Sequence, residues 1–243
     1  MRLITISLHV LLLLLPVRFA LADEQADLAF LQASAALDGA LIPALIAVRE
    51  GEASGVGVQL DKVTEAWQAY RSDQLAILKT APGWAMTRGG MERRLEMAKR
   101  FVGNGDVSMA RLVLDQMQVD LFRLRQSLGR ETFVDRLVGF HEEMESILAE
   151  TETGRKTNDP ESLRKGIEAL ENSWEAIEAE GVDSAVYGLL WEDATKVKGL
   201  IAAESVAIRQ LGEAVDRGRD DDLGDLAEAV RTAFRDVVLF FGE

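Results

Sequence analysis

Cysteine is missing from all 243 residues. Its absence excludes a disulfide framework, a thiolate metal site and a lipid-bearing cysteine behind a leader peptide. Histidine is nearly missing: His9 lies in the N-terminal apolar run, and only His141 remains beyond it. With one histidine, no cysteine and no glycine-framed serine, no nucleophile and base can be paired. The glycine fingerprints of phosphate and dinucleotide sites are absent too. The chain therefore reads as a protein that binds rather than catalyses. Proline is scarce, four in all, and no segment alternates apolar and polar residues over the length of a strand. Apolar residues recur instead every third or fourth position, so the predicted fold is all-α.

The first 22 residues, MRLITISLHVLLLLLPVRFALA, have the parts of a secretory signal. Arg2 is the positive end, Ile4 to Val17 the apolar core, and Ala20 and Ala22 the small residues before a cut at Asp23. The apolar run is shorter than the ~20 residues a membrane span needs. No later segment reads as a span, so the expected product is soluble and periplasmic. Removing the two arginines of the leader takes the net charge from −14 to −16. Such a chain repels nucleic-acid backbones and anionic lipid, and favours cationic partners: metal ions, polyamines or basic proteins. Solubility alone also accounts for the acidity.

Eight helices are expected, at 25–50, 58–80, 84–102 with an interruption at Gly89 and Gly90, 107–127, 131–151, 160–180 behind a cap at Asp159, 184–217 and 223–241. The tryptophans indicate a repeat within them. Trp67 and Trp84 stand 17 positions apart, as do Trp174 and Trp191, and the second pair follows the first by 107. At that offset Leu60 matches Ile167 and Val63 matches Leu170. An offset of 103 pairs Leu37, Leu41 and Leu45 with Phe140, Met144 and Leu148, and one of 117 pairs Ala110, Val113 and Met117 with Ala227, Val230 and Phe234. These matches preserve helical phase. The expected architecture is two tandem up-down four-helix bundles from an internal duplication, 23–130 and 131–243, after the signal peptide at 1–22.

His141 lies in the run RLVGFHEEMES, at the edge of a stripe formed by Phe133, Leu137, Phe140, Met144 and Ile147. Met144 and Glu145, three and four residues on, project from neighbouring positions. Imidazole with carboxylate suits iron, zinc or manganese, and a thioether shifts the preference toward copper(I). The candidate metal ligands are His141, Glu145 and Met144, with Asp38, the match of His141 at offset 103, as a partner from another helix. Glu142, Glu143 and Glu145 are expected to raise the imidazole pKa. A second thioether group, Met86, Met91 and Met97, surrounds the paired glycines; methionine also fills helical cores. The acidic turn Asp220, Asp221, Asp222 and Asp225 is accounted for by capping and solvation.

The segment GFHEEME is similar to the GxHxxE motif of the imelysin group. Gly139 and His141 match it, while Met144 holds the glutamate position and Glu145 falls one residue late. EAWQAYR, residues 65–71, resembles the tryptophan-rich helix of the same group. This resemblance implies an exported all-helical protein of duplicated four-helix bundles associated with iron uptake. The C-terminal AVDRGRDDDLGDLAEAVRTAFRDVV looks like the final hairpin of cytochrome c′ and b562-type bundles. Without CxxCH it implies the bundle and no covalent haem. Two readings follow. One is an exported binding protein handling iron or copper. The other is a non-catalytic, metal-free interaction scaffold of the periplasm, docking a partner along its long seventh helix.

Overall fold

The computed structural model describes residues 5–51, 53–72, 75–153 and 160–242, with most side chains from Glu24 onward. All described regular structure is helical: α1 (Thr5–Glu50), α2 (Ala53–Tyr70), α3 (Ala76–Thr80), α4 (Trp84–Gly103), α5 (Val107–Leu128), α6 (Phe133–Thr153), α7 (Pro160–Glu180), α8 (Ser184–Tyr187), α9 (Trp191–Asp216) and α10 (Leu223–Phe240), with a 3-10 turn at Asp220–Asp222. Asp159, the expected cap of α7, lies outside the described residues.

The long helices sort into two groups of four. In the first, α1 packs on α2 and α5, and α4 joins α2 to α5. In the second, α6 packs on α7 and α10, and α9 joins α7 to α10. Each group closes around its own apolar cluster, one centred on Leu37, Leu60, Trp67 and Met117, the other on Phe140, Leu170, Trp174 and Phe234. The residues matched by the repeat share burial: Leu37, Leu41 and Leu45 are buried, and so are Phe140, Met144 and Leu148. The second tryptophans part company. Trp84 packs on Trp67, ring centroids 5.8 Å apart, whereas Trp191 projects into solvent.

α1 belongs to both groups. Its Phe30, Leu37, Leu41 and Leu45 enter the first cluster, Ile42 enters the second, and the helix also packs on α8 and α10. A helix covered on two sides needs apolar residues nearly all round. That explains one correction: Glu24–Glu50 is long and apolar enough to cross a membrane, contrary to the expectation that no segment after the leader would be. Just under half of its most apolar window is buried. The helix is continuous back to Thr5, and the apolar leader within it is compatible with a signal peptide and equally with a membrane anchor.

Three expected helices differ. Residues 58–80 divide into α2 and α3, because the chain turns after Tyr70 to bring Leu75, Leu78 and Ala81 under the first cluster. The break at Gly89 and Gly90 does not occur. α4 runs through it, and a Cβ on Gly90 would stand 2.8 Å from Arg94 Nη1, which pairs with Asp120 at 2.7 Å. Residues 184–217 are interrupted after one turn: Gly188, at φ +62°, ends α8 in the left-handed conformation that glycine adopts without a Cβ clash. Leu190 is then extended before α9 begins.

Candidate functional site

Between the two groups lies a buried polar cluster. Gly129 closes α5, with the Arg130 N–H donating to the Arg125 carbonyl at 3.0 Å, and the chain reaches α6 within four residues. There Thr132 and Asp135 cap each other: the Thr132 N–H donates to Asp135 Oδ2 at 2.9 Å, and the Asp135 N–H donates to Thr132 Oγ1 at 3.3 Å. This box aims the Asp135 carboxylate back at α5, where Arg125 grips it with two nitrogens, Nε at 2.6 Å from Oδ2. Arg125 Nη1 also donates to Asp38 Oδ1 of α1 at 3.1 Å. Arg125 is 1% exposed, and Asp38, Thr132 and Asp135 are buried with it.

One guanidinium faces two carboxylates, so the cluster cannot be neutral with both ionised. Asp135 has the forked, stronger contact. Asp38 has one nitrogen, and burial pushes its carboxyl up to about 6 against the pull of Arg125, with the Asp135 charge adding to the rise. Tyr70 and Tyr187 flank the cluster, and burial pushes the Tyr70 phenol up to about 12. The Tyr187 hydroxyl accepts the Val134 N–H at 3.2 Å.

The proposed metal ligands meet different surroundings. His141 stands at a small cleft between the groups, about 80 Å³, lined by Ile42, Leu45, Arg49, Gln118, Leu137 and Phe234 among others. Its ring stacks on Phe234 with centroids 5.4 Å apart and planes 9° from parallel. Burial, with the Arg49 charge, holds the imidazole below its ordinary pKa, outweighing Glu145, Glu142 and Asp115. This corrects the expectation of a raised value: desolvation is stronger than the neighbouring acids. Met144 is buried in the second cluster, and Glu145 accepts from Arg231 Nε at 3.2 Å. Asp38 is engaged by Arg125 and Thr132. The four residues are therefore not brought together. Among the described residues no three His, Asp or Glu side chains gather to hold a metal ion. Nor do the three thioethers converge. Met91 is a core residue, while the outward-facing Met86 and Met97 lie eleven residues apart on α4, about 16 Å along its axis.

Two features lie outside the residues singled out from sequence. Glu204 is 0% exposed in the second cluster, and neither carboxylate oxygen has a hydrogen-bond partner. Burial pushes it up to about 8. The other is a groove of about 780 Å³ between α1 and the α8–α10 side of the second group. Compared with known proteins, the chain matches no family model, no curated protein and no solved structure.

Proposed function

We propose that the chain is an exported, non-catalytic interaction scaffold. In this reading its two four-helix groups are copies of one ancestral bundle, held at a fixed relative geometry while an outer face engages a protein partner. The observation that carries it is the Arg125 cluster, which joins α1 and α5 of one group to α6 of the other through buried charge-assisted bonds. Shared burial of the matched residues supports the duplication. The apolar leader supports export.

The test is photo-crosslinking in producing cells, with the reactive residue placed in turn at the exposed positions Leu112 and Trp191. A discrete protein adduct from at least one position is expected. Absence of adducts from both ends the scaffold reading.

The second reading keeps iron or copper at His141 and requires Glu145, Met144 and Asp38 to leave the surroundings described above. It is supported by one observation, the lowered pKa, which keeps the imidazole neutral as ligation requires. We expect purified wild-type protein and His141→Ala to contain equal amounts of both metals by elemental analysis. Stoichiometric metal that disappears on substitution would reverse the order of the two readings.

A further inference from the structure

The groove between α1 and the second group has a mixed lining, in which Gln32 and Asp193 stand among apolar residues. Ala35, Ala36 and Gly39 of α1 form one wall, with Tyr187, Leu189 and Phe241 among the residues opposite. Its volume, about 780 Å³, falls in the range of natural ligand sites. Leu190 and Trp191, next along the chain from that wall, are 74% and 81% exposed. Two consecutive large apolar side chains held in water gain nothing for the fold, because neither enters either cluster. Their placement is nonetheless fixed, since Gly188 turns the chain outward and Asp193 Oδ2 accepts the Leu190 N–H at 3.4 Å. Contiguous exposed apolar surface beside a groove marks an interaction site.

Charge selects the occupant. Asp193 lines the groove, Glu192 adjoins it, and Asp183 stands at the start of α8. Lys196, with its ammonium 5.4 Å from the Phe240 ring centroid, and Lys198 are cations of the same helix. The whole chain carries −14. Anionic lipid and a second copy of the chain are both repelled by that charge. An amphipathic helix with Lys and Arg on one face and Leu or Phe on the other satisfies both requirements: apolar anchors enter the groove beside Leu190 and Trp191, and its cations meet Asp193 and the neighbouring Glu192 and Asp183.

Resting on the scaffold reading, we infer that this groove, together with Leu190 and Trp191, is a docking site for a basic amphipathic helix of a partner protein. The test uses the full chain after Ala22 and a labelled 18-residue Leu/Lys amphipathic peptide, followed by fluorescence anisotropy. Saturable binding that weakens with salt is expected. Trp191→Ala should reduce affinity at least tenfold with no change in thermal midpoint, since the side chain packs on neither core. Asp193→Lys should also weaken binding at least tenfold. Glu96→Lys, the same charge change on α4 diagonally across the first group from α1, should leave it within twofold.

No binding, equal binding by Trp191→Ala, or equal losses from Asp193→Lys and Glu96→Lys would overturn the inference. So would equal binding of the peptide with every Lys replaced by Glu. Trp191-dependent binding to phosphatidylglycerol vesicles, or Trp191-dependent dimerisation in light scattering, would replace the partner helix with a membrane or a second copy. A cellular adduct at Leu112 alone would sink this site while leaving the scaffold reading in place. No adduct at either position would remove the scaffold itself.

Discussion

Arg125→Met should lower the stability of the folded chain by about 3–5 kcal/mol, the cost of leaving buried charge without its partner. Two carboxylates, Asp38 and Asp135, would then face each other in the interior with only Thr132 between them. At neutral pH at least one must take up a proton to avoid two unpaired buried charges. Methionine nearly preserves the aliphatic volume, which isolates the charge from packing. The same substitution in an Asp38→Asn, Asp135→Asn background should recover most of the lost stability, because no unpaired charge remains.

Urea unfolding followed by fluorescence in backgrounds that retain only Trp67 or only Trp174 gives the test its resolution, since Trp67 reports on the first cluster and Trp174 on the second. Wild-type protein should unfold in one transition at both probes. Arg125→Met should separate them. An unshifted midpoint in Arg125→Met would mean that the cluster contributes little to joining the groups.

Glu204→Leu should raise stability by about 3 kcal/mol at pH 7. The carboxyl titrates near 8 when folded and near 4.3 when unfolded. The folded chain therefore holds this proton more tightly. This group's contribution to stability is most favourable below about pH 4 and is lost as pH rises toward 8. Leucine removes that dependence, so variant and wild type should converge in acid and differ most at pH 8 to 9. For a chain of this size the thermal midpoint should rise by roughly 6–12 °C at neutral pH. Scanning calorimetry from pH 4 to 9 measures it. Parallel curves across the range would mean that Glu204 is ionised and solvated in the folded protein.

Both groups were open to detection in the sequence, because each interrupts an apolar stripe. Leu114, Met117, Leu121 and Leu124 run along the buried side of α5, and Arg125 sits four residues after Leu121. Val197, Ile201, Ile208 and Leu211 do the same on α9, with Glu204 in their midst. A charged residue at helical spacing within such a stripe must be paired or neutral. His141 is the one histidine beyond the apolar N-terminal run, but rarity is no measure of environment. Thr132 and Asp135 had a legible spacing as well, that of reciprocal capping.

Helical phase was the strongest sequence signal. It located the long helices and paired Trp67 with Trp174, both of which are buried. The second tryptophan pair misled, because equal spacing says nothing about a break between. Gly83 before Trp84 and Gly188 before Trp191 are both left-handed, yet Trp84 packs on Trp67 while Trp191 is exposed. The sharing of α1 was hidden for another reason. Its uniform oiliness looks the same whether the cover is lipid, one group or two.

That sharing sets an order of events during synthesis. α1 emerges first, yet its second face waits for α10: a Cβ on Gly39 would stand 3.1 Å from the Phe241 carbonyl, so α1 and the end of α10 meet backbone to backbone. Until the last helix leaves the ribosome, the nascent polypeptide carries a naked greasy flank that only a chaperone or a translocation channel can shield. A gene fragment stopping after Arg130 would make that condition permanent, and its product should clump.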